Sequence, residues 1–218
     1  MTFLLVLKTR TLAMKFQLVV LLTIVTSLFG TGQILFAQEY IPIFSQNYSS
    51  RLSIEIDPTT FLLSGYSFHL RYQPMFSERL IIGGGTYGLD LPELFGNLNK
   101  ENRDKGWQAR IRSAYAIYGE MYLTKANLGW FVGEQIGFQN FSVSNAREVS
   151  GATRFSNMLF MTYVGYSWHP YKGSFYIKPW AGLGITGKVD GISKIGDMKY
   201  DISPLFPFMS VYIGYSFK

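Results

Sequence analysis

Trp107–Leu123 (WQARIRSAYAIYGEMYL) places Trp107, Ala109, Ile111, Tyr115, Ile117, Met121 and Leu123 at odd positions and Arg110, Arg112 and Glu120 at even ones. Side chains of a strand alternate between two faces, so a period of two that collects the charges on one parity reads as a strand with one apolar and one polar face. The same pattern recurs outward along the chain. Leu205, Met209, Val211, Ile213, Tyr215 and Phe217 oppose Ser210, Gly214 and Ser216, and Phe175, Ile177, Ala181, Leu183 and Ile185 oppose Lys178, Gly182, Gly184 and Thr186. Tyr66, Phe68, Leu70 and Tyr72 likewise oppose Ser67, His69 and Arg71. The segments 129–143 and 155–168 alternate less cleanly, because Glu134 shares parity with Val132, Ile136 and Phe138, and a bulge or a partly apolar interior is expected there.

Connections alternate in length. Gln73–Glu78, Thr124–Asn127 and His169–Gly173 are short, whereas Pro92–Gly106, Ser144–Thr153 and Lys188–Tyr200 are long and rich in charge, Asn and Gly. Outer-membrane barrels distribute periplasmic turns and extracellular loops in this way. Seven strands are plain, and an even count requires one more, placed at Arg51–Asp57 before a tight turn at Asp57-Pro58-Thr59-Thr60. The expected fold is all-β: a closed antiparallel up-and-down transmembrane β-barrel of eight strands. Tyr72, Tyr122, Trp130, Trp168, Tyr171 and Phe175 fall near the short turns as one aromatic girdle, and Trp107, Phe141, Phe155 and Tyr200 near the long loops as the other. A soluble sandwich could also show period two but would turn its charges outward.

The 218 residues suit one domain, and 17% aromatic residues with 22 glycines favour twisted strands over helices. Lys8, Arg10 and Lys15 precede the apolar run Leu18–Phe29 (LVVLLTIVTSLF), the pattern of a secretory signal peptide. A dozen apolar residues are fewer than the ~20 of a membrane-spanning helix, and Thr23, Thr26 and Ser27 interrupt the run, against an uncleaved anchor. Residues 1–37 are read as this signal and 38–218 as the barrel domain, with cleavage after Ala37 preferred and the Gly30-Thr31-Gly32 region as the alternative; Met14 is a second possible start. Without the three leader cations the formal charge falls from +6 to about +3, too little to argue for nucleic acid. The absence of cysteine excludes disulfides, thiol catalysis, thiolate metal sites and a lipidated N-terminus.

The segments SIEIDPTTFLLSGYSFHLRY, GWFVGEQIGFQNF, MTYVGYSWHPYKGSFYIKPWAGLG and VYIGYSF together resemble small outer-membrane β-barrel proteins of Bacteroidetes-type bacteria. The resemblance implies fold and outer-membrane location, with no catalytic residues to carry over. The ending Val211, Ile213, Tyr215, Phe217 looks like the C-terminal aromatic signal read by the barrel assembly machinery, with the departure that Lys218 follows the aromatic residue.

Charges that face inward in such a barrel form an expected interior polar network of His69, Arg71, Arg110, Arg112, Glu120, Glu134 and Lys178, with Glu134 offered as an acidic partner for the cations near Glu120. No metal site or cofactor is expected. Histidine chemistry is restricted to His69 and His169, both toward the periplasmic side in this topology, away from the outer leaflet where lipid A deacylases and palmitoyltransferases hold a histidine and a serine. Gly83-Gly84-Gly85 lacks the lysine and hydroxyl residue of a phosphate-binding loop and is read as room for curvature and packing, and Pro179 and Pro207 as bulges or strand ends. Eight strands leave no wide channel. The expected function is therefore a non-enzymatic outer-membrane protein with a structural or surface-interaction role carried by its extracellular loops, in contact with outer-membrane lipid and lipopolysaccharide; the alternative is a lipid-modifying enzyme of the acyltransferase or deacylase type.

Overall fold

A computed structural model of the chain describes residues 50–147, 151–171 and 173–217. The signal peptide, its cleavage site, both candidate starts and Lys218 lie outside the described residues. The strands are β1 (Arg51–Ile56), β2 (Tyr66–Gln73), β3 (Leu80–Asp90), β4 (Trp107–Tyr122), β5 (Gly129–Asn145), β6 (Ala152–Ser167), β7 (Phe175–Gly191) and β10 (Leu205–Ser216). They close in the order β1-β10-β7-β6-β5-β4-β3-β2, every pair antiparallel, so neighbours in sequence are neighbours in the wall and the last strand meets the first. Closure joins the first strand to the last and removes the sheet edges along β1, while the part of β10 before Ile213 continues without a β1 partner. A small hairpin of β8 (Lys194–Ile195) and β9 (Met198–Lys199) lies in the last long loop.

The segment after β1 differs from the expected tight turn. Asp57 caps a short helix, α1 (Pro58–Leu62), by accepting a hydrogen bond from the Thr59 amide, with Pro58 in the first helical turn, where its missing N–H removes nothing. Helix α2 (Glu93–Gly96) lies in the loop after β3.

The alternation in β4 reverses part-way along the strand. Towards β5, Ile111 pairs with Phe141 and Ser113 with Asn140, so one extra residue is accommodated at Arg112. A bulge of one residue exchanges the faces of everything beyond it. Ile111 and Trp107 point inward on one side of the bulge, and Ala114, Ala116, Tyr118, Glu120 and Tyr122 on the other. The expectation that Arg110 and Arg112 share the inner face with Glu120 is thereby corrected: both face outward. Glu134 is corrected too, because the β5 ladder runs without interruption through it and keeps it on the outer face with Val132, Ile136 and Phe138.

Inward glycines make room for rings. A methyl group on Gly83 would lie 2.4 Å from the Tyr118 ring, and one on Gly85 2.2 Å from the His69 ring, so neither position admits a side chain without displacing the ring opposite. Pro179 and Pro207 cause no bulge and stay paired across β7 and β10, but the continuous β6 ladder ends at Trp180 beside Pro179, and Pro207 sits near the start of β10, where that strand runs past the end of β1.

Candidate functional site

The lumen is filled in three layers, each built from inward positions of several strands. At the short-turn end, Glu55 of β1, Arg71 of β2, Glu120 of β4 and Lys178 of β7 meet in the middle, all four essentially without solvent exposure. Arg71 Nη1 lies 2.9 Å from Glu55 Oε1, and its Nη2 donates to Glu120. Lys178 Nζ closes the cycle, 2.9 Å from Glu55 and 2.7 Å from Glu120. Two cations and two carboxylates alternate round this ring, so it is electrically balanced. Balance matters because an unpaired buried ion is far more costly than a paired one. Hydroxyls add to the network: Arg71 donates to Tyr176 Oη at 2.6 Å and Tyr122 Oη at 3.0 Å, and Tyr163 donates to Glu120 at 3.1 Å, while Arg71 Nε has no hydrogen-bond partner among the described residues. From the turn between β4 and β5, Asn127 closes the layer from below, accepting from Arg71 through Oδ1 and donating to Ser216 Oγ at 3.0 Å.

Above the charges lies His69, 2% exposed, with its ring 4.9 Å from that of Tyr212 and 5.9 Å from that of Tyr118. It borders a cavity of about 150 Å³ whose wall also includes Asp57, Ser67, Gln135, Trp180 and Phe208. Neither nitrogen of His69 nor the hydroxyl of Ser67 has a hydrogen-bond partner among the described residues, and the Asp57 carboxylate is engaged by Thr59. A serine, a histidine and an acid thus border one space without the hydrogen bonds that link nucleophile, base and orienting group in hydrolytic sites. His169 lies in the turn between β6 and β7, where its ring nitrogens sit 2.8 Å from the Asn127 carbonyl and 3.2 Å from that of Gly173.

The third layer, at the long-loop end, is apolar. Trp107, Ile111, Phe141, Val143 and Phe155 from the walls enclose Ile195 and Tyr200 from the last loop. The residues expected to form the outer aromatic girdle therefore lie inside the barrel, stacked under a loop that folds into the mouth; Phe141 and Phe155 rings are parallel at 5.1 Å. Tyr122, expected in the other girdle, is also interior. Two loops are fastened over this cluster: Asn102 Nδ2 donates to the Asp201 carbonyl at 2.7 Å and the Asp201 amide returns a bond to Asn102 Oδ1 at 3.0 Å, with Asn99 Nδ2 adding a third at 2.8 Å.

Of the residues expected inside, the structure brings together Arg71, Glu120 and Lys178 and places His69 one layer above. Arg110 instead pairs with Asp90 at 2.6 Å on the exposed surface and also reaches the Ser64 carbonyl. Sequence reasoning missed Glu55 and the tyrosines. Glu55 carried a usable signal, since it has the parity of Ser53 and opposes Leu52, Ile54 and Ile56. Val211, Ile213, Tyr215 and Phe217 line the outer face of β10 and the residue after it.

No protein-family model matches the chain, and no curated protein matches it. Several solved structures resemble it distantly, three of which follow. The N-terminal β-barrel domain of Pseudomonas aeruginosa OprF aligns at 11% identity over 79% of this chain and 100% of its own length, with a TM-score of 0.39. Ail, the attachment invasion locus protein of Yersinia pestis, solved with the heparin analogue sucrose octasulfate, aligns at 10% identity over 77% of this chain and 97% of its own, with a TM-score of 0.34. Neisserial surface protein A aligns at 9% identity over 78% of this chain and 95% of its own, with a TM-score of 0.32.

Proposed function

We propose that this chain is a non-enzymatic integral protein of a bacterial outer membrane, a sealed barrel that anchors its long loops at the cell surface. The observation that carries the reading is the inversion of ordinary burial. The interior holds the Arg71, Glu55, Lys178 and Glu120 ring, while Leu70, Ile82, Ile117, Val132, Val164, Leu183 and Val211 stand 41–66% exposed on the outside of seven different strands. Apolar surface continuous around a whole barrel far exceeds the patches that water-soluble monomers expose, and lipid is the solvent it fits. The buried charge layer and the loop cluster close the lumen, which argues for an anchor over a pore. The extracellular loops, fastened through Asn99, Asn102 and Asp201, are then the surface on which a partner would act.

Purified protein inserted into a planar bilayer should give no long-lived conductance steps. Steady porin-sized openings would contradict the sealed lumen.

A further inference from the structure

We propose that a shallow groove on the outer wall, between Arg112 and Arg154 at the long-loop end, binds the phosphate monoester of an outer-leaflet lipid headgroup. This rests on the outer-membrane reading of the barrel and adds a ligand class and a site to it. Its first support is depth. Going up β5, the outward side chains run Trp130, Val132, Glu134, Ile136 and Phe138, then become polar at Asn140, Ser142 and Ser144. Ten residues separate Trp130 from Asn140, so at ~3.4 Å per residue and a tilt of about 35–45° the band between them, apolar except for Glu134, is roughly 26 Å tall, close to the ~25 Å typical of such barrels. Asn140 therefore sits where hydrocarbon gives way to headgroups.

The second support is construction. At that level a hydrogen-bonded ladder crosses three strands: Asn140 Nδ2 donates to Ser113 Oγ at 3.1 Å, and Ser156 Oγ donates to Asn140 Oδ1 at 2.9 Å. Ser113 thus accepts within the ladder and keeps its own hydroxyl proton for a ligand. The bulge in β4 turns Arg112 to this face, and Arg154 stands two residues beyond Ser156 on β6. Both side chains are exposed, and neither makes an ion pair or side-chain hydrogen bond among the described residues, in contrast to Arg110, which is taken up by Asp90. Asp190 closes the β7 flank, so two guanidiniums face one carboxylate and the groove keeps a net positive charge. A guanidinium matches phosphate with two parallel N–H donors, and a headgroup zone is drier than bulk water, which strengthens such pairs. A lipid-facing arginine is costly at mid-bilayer but nearly free at the interface, which agrees with the depth of both residues.

The test uses full-length protein in detergent micelles carrying equal amounts of bis-phosphorylated lipid A and its enzymatically dephosphorylated form, with retained lipid read by native mass spectrometry. Wild-type protein should retain the phosphorylated form at least about tenfold over the other. R112Q/R154Q should lose that preference, and R112K/R154K, which keeps the charge but not the paired donors, should fall between. Equal retention by wild type and R112Q/R154Q, or displacement by millimolar inorganic phosphate as readily as by the lipid, would overturn the proposal. Should R112Q/R154Q fail to fold, the lysine variant decides: undiminished preference in it overturns the role of paired donors. Membrane fractionation of cells tests location separately, so absence from the outer membrane would strike the location reading while the retention ratio still reports on the groove.

Discussion

Arg71→Met should destabilise the folded barrel by about 3–5 kcal/mol, the range for removing one member of a fully buried ion pair. Arg71 is expected to dominate because, besides pairing with both Glu55 and Glu120 as Lys178 does, it also donates to Tyr122, Tyr176 and Asn127. Methionine fills much of its volume, so the loss isolates charge and hydrogen bonding from cavity formation. It leaves Lys178 alone against two carboxylates, a net negative layer with no access to water. The control is Arg110→Met, which breaks the Arg110–Asp90 pair at 2.6 Å on the exposed surface and should change stability by no more than about 1 kcal/mol. Urea unfolding in lipid vesicles, followed by tryptophan fluorescence, measures both. Equal small effects would mean that the charged layer is hydrated and not a structural plug.

Deleting Tyr215–Lys218 should abolish accumulation of folded protein. The segment pairs Tyr215 with both Ile54 and Phe175, and Ser216 with Ser53, so its loss reopens the seam between first and last strands. It also removes the Ser53–Ser216 hydroxyl bond at 2.6 Å, the Asn127–Ser216 bond at 3.0 Å and the backbone bonds from Ser216 to Ser174 and from Phe217 to Leu52. Four hydrogen bonds at ~1 kcal/mol net each would already shift folding by well over tenfold. Folded, protease-resistant protein in the membrane fraction should fall below about a tenth of wild type, because a chain whose last strand cannot seal against the first leaves an open barrel edge. Normal levels of the truncated chain would show that neither the seam nor an assembly signal at Val211, Ile213, Tyr215 and Phe217 depends on these residues.

The strand count, the pairing order and three of the four charges in the plug are legible in the sequence because alternation is regular in β2, β7 and β10. Arg71, Lys178 and Glu120 declare themselves by opposing runs such as Phe68-x-Leu70-x-Tyr72. Legibility ends at Arg112. One inserted residue reverses the faces of β4, and nothing in IRSAY marks it, so Arg110 and Arg112 pass for interior residues and Trp107 and Ile111 for lipid-facing ones. The apolar upper lumen is hidden for a related reason: Phe141, Phe155 and Tyr200 have the composition of a girdle, and only the loop that carries Ile195 and Tyr200 back into the mouth makes them a core. Glu55 was obscured by brevity, since β1 has six residues and its alternation is too short to weigh alone. Glu134 is the opposite case. Its parity is plain, and the assumption that a charge must face inward is what fails.

Single cysteines placed along β4 and exposed to a lipid-confined thiol reagent test the account most directly, since the chain has no cysteine of its own. Positions 115, 117 and 121 should label and positions 114, 116 and 118 should be protected, with the pattern inverted beyond the bulge, where a small water-soluble thiol reagent acting at the headgroup level should label 110 and 112 but not 111. Labelling with a helical period, or of neighbours without distinction, would contradict the barrel; protection of 112 with labelling of 111 would contradict the bulge and return both arginines to the lumen.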